Sequence, residues 1–346
     1  MFNLKSISIA LVCMGAISCS ESVQDENIGP EEGTTRTASV AFAAEGAGDL
    51  SVYVFSKSND AFLYHSVLND GWITQENGTR KLYREMKEGE YKFVFLGNRC
   101  NNLALPEMPT RAGEFYFEDM IISHSVTSKE GYFRGADEIY MQDDAALAAL
   151  AHTVSGNKEI SAHLTRAVGK IEVQLVRGYA TDVDGETTFV PVPYTGDENI
   201  TDLFEGYEIE VIDCGDHLSI GGCNGKAKIY EQYAVEDTNV RTILADDEDN
   251  DGTMTGFAVL DGPFVLPPAE DSDMQVRVKL TPKAGSGLTE FEKTLVNGID
   301  GVVNVPRNHK LTITFWLDAQ SSPVISVTAN LADMDKENPG DSGMWY

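Results

Sequence analysis

Apolar and polar side chains alternate with a period of two along much of this chain. Ser51-Val52-Tyr53-Val54-Phe55, Tyr91-Lys92-Phe93-Val94-Phe95 and Lys170-Ile171-Glu172-Val173-Gln174-Leu175 carry the pattern. So do Glu208-Ile209-Glu210-Val211, Gln275-Val276-Arg277-Val278-Lys279-Leu280, Leu311-Thr312-Ile313-Thr314-Phe315 and Val324-Ile325-Ser326-Val327. In an extended strand successive side chains point to opposite faces, so each run predicts a half-buried strand. β-branched and aromatic residues, which suit a pleated surface, dominate them. Asn69-Asp70-Gly71, Glu88-Gly89, Asp184-Gly185, Asn224-Gly225 and Asn250-Asp251-Gly252 supply turn chemistry between runs.

Helical periodicity is confined to one stretch, Asp143 to Ala151, with Asp143 or Asp144 as a candidate cap. Many short strands with frequent turns predict an all-β protein built from sandwiches or barrels. The length suits about two domains at roughly 150 residues each. Val154-Ser155-Gly156-Asn157-Lys158 is loop-like and a strand-rich block follows it. The expected division is a leader at 1–18, a tether at 19–36, one sandwich at 37–157 and a second at 158–346 with a tail.

The N-terminus changes the picture. Lys5 precedes an apolar run from Ile7 through Val12 to Ile17. The run is shorter than the roughly 20 residues of a membrane-spanning helix and reads as a secretory leader. It ends in Ala16-Ile17-Ser18-Cys19, small residues before a cysteine, which predicts lipid attachment at the Cys19 thiol. Ala16 departs from the usual leucine of such a site. Ser20 to Asn27 is polar and acidic with no apolar period, as expected of an unfolded tether.

The formal net charge of -29 excludes a nucleic-acid footprint, which needs clustered cations, and disfavours anionic lipid head groups. It suits a soluble, exposed surface. Beyond Cys13 in the leader and Cys19, the cysteines are Cys100, Cys214 and Cys223. Cys214 and Cys223 flank a glycine-rich turn, where a disulfide staple and two separate thiols both fit.

Asp247, Asp249 and Asp251 before Gly252 match the first half of a calcium loop. Ala258 stands where its bidentate glutamate belongs, so a solvated acidic turn is the better reading. Gly221-Gly222-Cys223-Asn224-Gly225-Lys226-Ala227 invites a phosphate-loop reading and fails it. Ile220 replaces the first glycine and Ala227 replaces the magnesium-binding hydroxyl, which leaves a hairpin turn. His65, His124, His152, His163, His217 and His309 form no HExxH, and no nucleophile elbow is present. No enzymatic constellation and no cofactor is expected.

Five segments together resemble a known family. They are Asp49-Leu50-Ser51-Val52-Tyr53-Val54-Phe55, Gly89-Glu90-Tyr91-Lys92-Phe93-Val94, Asp137-Glu138-Ile139-Tyr140, Leu164 to Val173, and Val305-Pro306-Arg307-Asn308-His309-Lys310-Leu311. Their order, behind a lipidation site, resembles the fimbrial subunit and anchor family of the Bacteroidales, the FimB-like minor fimbrial lipoproteins. The resemblance implies two tandem transthyretin-like β-sandwiches of Greek-key type. It implies a structural role in fimbriae and cell adhesion, with sister fimbrial subunits as partners through donor-strand exchange. It also implies lipid anchorage in the outer membrane, with acidic residues after Cys19 resembling an address for its outer face.

The resemblance leaves the role within the fimbria open between anchor, shaft and tip. Shaft subunits of the family are cut after an arginine beyond the lipidated cysteine, and Arg36 stands where such a cut would fall; a plain linker arginine fits equally. The segment from Pro323 to Leu331 and the tail to Trp345-Tyr346 fit either a donor strand or a loose end. The competing reading is a surface glycan-binding lipoprotein, for which Trp72 and Tyr83 would be candidate sugar platforms.

Overall fold

In the computed structural model, residues 36–45, 49–98, 101–105, 115–142, 150–192, 203–219, 222–236, 240–246, 254–318 and 324–334 are described. The described part is nearly all strand, with one 3-10 turn at Phe117–Asp119. In chain order the first thirteen strands are β1 Thr37–Glu45, β2 Leu50–Ser58, β3 Ala61–Leu68, β4 Ile73–Thr74, β5 Arg80–Lys87, β6 Gly89–Gly97, β7 Leu103–Ala104, β8 Ile121–His124, β9 Thr127–Lys129, β10 Tyr132–Phe133, β11 Tyr140–Gln142, β12 His152–Val154 and β13 Lys158–Arg166. The remainder are β14 Gly169–Val183, β15 Glu186–Pro191, β16 Phe204–Cys214, β17 His217–Ser219, β18 Gly222–Asn224, β19 Ala227–Ala234, β20 Val240–Asp246, β21 Met254–Val265, β22 Gln275–Pro282, β23 Phe291–Val296, β24 His309–Asp318 and β25 Val324–Asp333.

The N-terminal strands run in the order β3-β2-β6-β11-β13-β1-β5-β4, with β12 added to β6. The strand β13 belongs to two layers. Its first half pairs in parallel with β1, Val40 opposite Lys158, and its second half pairs with β11, Thr165 opposite Met141. The sheet therefore folds over on itself. Ala38, Val40 and Phe42 of β1 and Leu82 of β5 pack against Val52 and Val54 of β2 and Phe93 and Phe95 of β6. The Phe42 ring meets Phe93 edge-on at 5.1 Å between centroids.

The strands β2 and β6 are covered on their other face as well. Tyr53, Phe55, Val94 and Leu96 join Phe117, Met120 and Ile122 in a second core. The even alternation at Tyr91–Phe95 predicted one wet face. Instead Lys92 lays its stem there, its ammonium 4.1 Å from the Phe117 ring centroid and 4.7 Å from that of Phe62. A lysine can keep its charge at the rim while its methylenes cover apolar surface, so a polar letter does not mark an open face.

The C-terminal strands form a sandwich. One sheet has the order β20-β21-β14-β24-β25 with β15 added to β14, and the other the order β23-β22-β16-β19-β10-β9. Ile171, Val173 and Leu175, Ile209 and Val211, Val276, Val278 and Leu280, and Leu311, Ile313 and Phe315 meet in the space between them. In β22 the alternation read from sequence is the alternation of burial, with Val276, Val278 and Leu280 inward. Two neighbouring strands, β14 and β24, run parallel, Ile171 opposite Leu311.

The boundary expected at 157/158 needs correction. The loop at Val154–Lys158 does not end the first layer pair, because β13 returns to it. The chain crosses to the second sandwich at Arg166–Gly169. The two halves are also interleaved, since β10 pairs with β19 and β8 pairs with β17. The described residues from Arg36 onward accordingly fall in one compact unit. The helix expected over Asp143–Ala151 falls on residues 143–149, outside the described residues.

Candidate assembly site

Three of the five motif segments converge where the chain crosses between halves. Asn308 sits at φ 58°, and its N–H donates to the Val168 carbonyl at 3.0 Å. Gly169 lies so close to the next segment that a Cβ there would stand 2.3 Å from Val305 Cγ1 and 2.9 Å from the Pro306 carbonyl oxygen. Only a residue without a side chain fits that approach. The Ala167 N–H donates to the Ile139 carbonyl at 2.8 Å. The Asp137 carboxylate accepts the N–H groups of Asn101, Asn102 and Leu103 at 2.6, 2.7 and 3.0 Å. Glu138 accepts from Arg166 Nε at 2.6 Å. These segments clamp one sandwich to the other.

The elements that bear on assembly lie at the chain ends. Arg36 immediately precedes β1, and its carbonyl accepts the Glu88 N–H at 2.9 Å. Beyond it β1 is an interior strand, antiparallel to β5 on one side and parallel to β13 on the other. Val40 and Phe42 are fully buried. At the other end β25 is an edge strand, paired with β24 alone among the described residues. Its register carries a bulge between Trp316 and Leu317, so Val324, Val327, Ala329 and Leu331 turn toward the core yet stay partly exposed. Trp316 Nε1 donates to Thr328 Oγ1 at 3.3 Å and Asn308 Nδ2 to Asp333 Oδ1 at 3.2 Å, which hold the strand in register. An edge strand carries backbone groups available to a further strand.

The remaining candidates are placed as follows. Cys214 is buried and its thiol donates to the Ala227 carbonyl at 3.5 Å. Register sets Cys214 opposite Ala227 and Cys223 opposite Leu218; the Cys223 side chain lies outside the described residues. Cys19, Asp247, Asp249 and Asp251 also lie outside them. Among the described residues no group of three His, Cys, Asp or Glu could hold a metal ion. Of the stretch Gly221–Ala227, expected as a hairpin turn, residues 222–224 form β18, which pairs with β17, and Gly225 at φ 71° leads on to β19, which pairs with β16 instead. Trp72 packs against the first core, whereas Tyr83 is exposed on β5, so the two do not form one platform.

Sequence reasoning passed over His124. It is 7 % exposed, and its ring stacks on Phe133 at 5.3 Å between centroids. Burial pushes its pKa down to about 4 despite the backbone of Gly215 and the carboxylates of Asp216 and Asp137. No local pattern distinguishes His124 from the other histidines, because β8 acquires its cover from β10 and β17 of other chain regions.

A candidate adhesin from Bacteroides thetaiotaomicron superposes with a TM-score of 0.48 at 14% identity, covering 89% of this chain and 100% of that one. A candidate polysaccharide-binding protein of the same species gives 0.46 at 14%, covering 87% and 99%. The fimbrial anchor protein Mfa2 from Porphyromonas gingivalis gives 0.42 at 14%, covering 86% and 96%. No curated protein matches the sequence. The family described as fimbrillin-A associated anchor proteins Mfa1 and Mfa2 matches residues 32–333. That span takes in all twenty-five strands of the described residues, and the chain therefore belongs to the family of fimbrillin-A associated anchor proteins, with a structural, adhesive role in fimbriae.

Proposed function

We propose that this protein is the basal anchor of a fimbria, held in the outer membrane by a lipid on Cys19 and joined to sister subunits by strand addition. The observation that carries this reading is the position of β1. A cut after Arg36 would release residues 1–36 and leave β1 hydrogen-bonded between β5 and β13. Among the described residues no strand of the first sandwich would be removed, so a neighbour's strand would find no vacated place there. A subunit that cannot accept a strand at that point suits the end of a polymer better than its middle. The open side of β25, with Val327, Ala329 and Leu331 partly exposed, is where the next subunit would be met.

The test is the N-terminus and mass of the protein recovered from the outer membranes and purified fimbriae of its native host. An acylated chain starting at Cys19 and found with fimbriae is the expected result. A lipid-free chain starting at Thr37 would make it a shaft or tip subunit. Absence from fimbriae would remove the fimbrial role.

A further inference from the structure

The longest strand outruns its sheet. Pairing of β14 with β21 stops at Val176 and with β24 at Gly178. Beyond that point β14 pairs, among the described residues, only with β15, Tyr179 opposite Val190 through Val183 opposite Glu186. Each strand of this ribbon projects about 15 Å at ~3.3 Å per residue. Its turn, Asp184 at φ 55° and Gly185 at φ 87°, is the twisted type that two-residue hairpins favour. Asp182 Oδ1 accepts the Gly185 N–H at 2.9 Å.

The base of the ribbon is held. The Phe189 ring stacks on Trp316 at 5.5 Å and 24°. A Cβ on Gly178 would stand 2.6 Å from the Val190 carbonyl oxygen and 3.0 Å from Trp316. The Val192 N–H donates to the Arg177 carbonyl at 3.0 Å. Beyond this base the face that continues the core stripe of Ile171, Val173 and Leu175 carries Tyr179, Thr181 and Val183. Tyr179 is 50% and Val183 52% exposed. A bare two-stranded ribbon is marginal in water, and here, past Arg177, which interrupts the stripe between Leu175 and Tyr179, the same face carries Tyr179 and Val183 into solvent.

Charge narrows what can cover it. Asp182, Asp184 and Glu186 crowd the tip, residues 178–191 contain no lysine or arginine, and the whole chain carries -29. Two copies of the ribbon would repel. We infer that the Tyr179–Val190 ribbon is a docking arm whose apolar face and open edges add to an apolar, basic-rimmed sheet edge on a sister fimbrial subunit. This assignment rests on the fimbrial reading above. The arm meets the partner with the ribbon's backbone edge for affinity and the acidic tip for orientation.

The experiment measures binding of the full chain to immobilised, purified fimbrial subunits of the native host at low and high salt. Two variants accompany it: Tyr179→Glu with Val183→Glu, and a ribbon shortened by replacing residues 181–188 with Asn-Gly. The expected result is salt-sensitive binding by the parent and about tenfold or greater loss in both variants, with circular dichroism and melting unchanged. If the shortened chain fails to fold, the double substitution decides. Folded variants that bind like the parent overturn the arm and leave the fimbrial role standing. A parent that binds no sister subunit overturns both. A parent that binds only itself, through Tyr179 and Val183, overturns the heterologous partner.

Discussion

Lys310 on β24 and Glu172 on β14 face each other across two parallel strands, Nζ to Oε1 3.5 Å, with side chains only 6% and 4% exposed. Alternation marks both as solvent-facing positions of their strands, yet the outer face of this sheet is covered here. Removing two ions from water costs several kcal/mol each, which their attraction offsets only while both are present. Lys310→Met should lower stability by about 3–5 kcal/mol. The double change to Lys310→Met with Glu172→Leu should recover most of that loss. Urea unfolding of the parent, both single variants and the double variant checks it, and additivity of the single changes would refute the pairing.

His124 sets a pH dependence. Its folded pKa is about 4, against about 6.5 in an unfolded chain. As pH falls, the unfolded state takes the proton first, so stability declines from pH 6.5 to 4 and is fully present above that window. The loss by pH 4 is of order 3 kcal/mol. The difference in melting between the parent and His124→Gln should shrink across the same window. A constant difference from pH 7 to pH 4 would show that the ring is not held neutral by burial.

The Phe42 ring plugs the first sandwich between Phe93 and Phe95. Phe42→Ala should cost about 3–5 kcal/mol through lost contacts and the cavity left behind. The proposed anchor role depends on β1 staying in place, so the variant should also become sensitive to proteolysis within β1. Resistance equal to the parent's would place the stabilising contacts elsewhere.

Limited digestion after Arg36 should leave the fold unchanged. The product starting at Thr37 loses the bond from the Glu88 N–H to the Arg36 carbonyl, at an exposed residue where water can replace it, and keeps the pairing of β1 with β5 and β13. Its melting temperature should match that of the uncut chain, a stability change within about 0.5 kcal/mol. A large drop would mean that residues before Thr37 complete the sandwich.

Gly169→Ala tests the clamp between the halves. Its Cβ would meet Val305 Cγ1 at 2.3 Å and the Pro306 carbonyl oxygen at 2.9 Å. The backbone must shift to accept it, at a cost of about 1–3 kcal/mol. Gly185→Asn, at an exposed turn with open space around its Cβ position, should by comparison cost little, because Asn tolerates the positive φ. Equal losses at both sites would remove the steric account.

The all-β class, the positions of seven of the strands and the turn at Asp184–Gly185 were legible in the sequence because period-two alternation and turn chemistry are local. In β22 the letters alone say which side chains face inward, since one face meets the core and the other meets water. In β2 and β6 they do not, because a second layer from residues 115–122 covers the face that alternation leaves open. The return of β13 to the first sheet, the parallel pairing of β14 with β24 and the meeting of Val168 with Asn308 join residues far apart in the chain. Nothing local specifies such pairings; they are decided by which faces must be buried together. For the same reason the sequence could mark Arg36 as a candidate cut but not its consequence. That consequence follows from β1 having neighbours on both sides, which only the tertiary structure supplies.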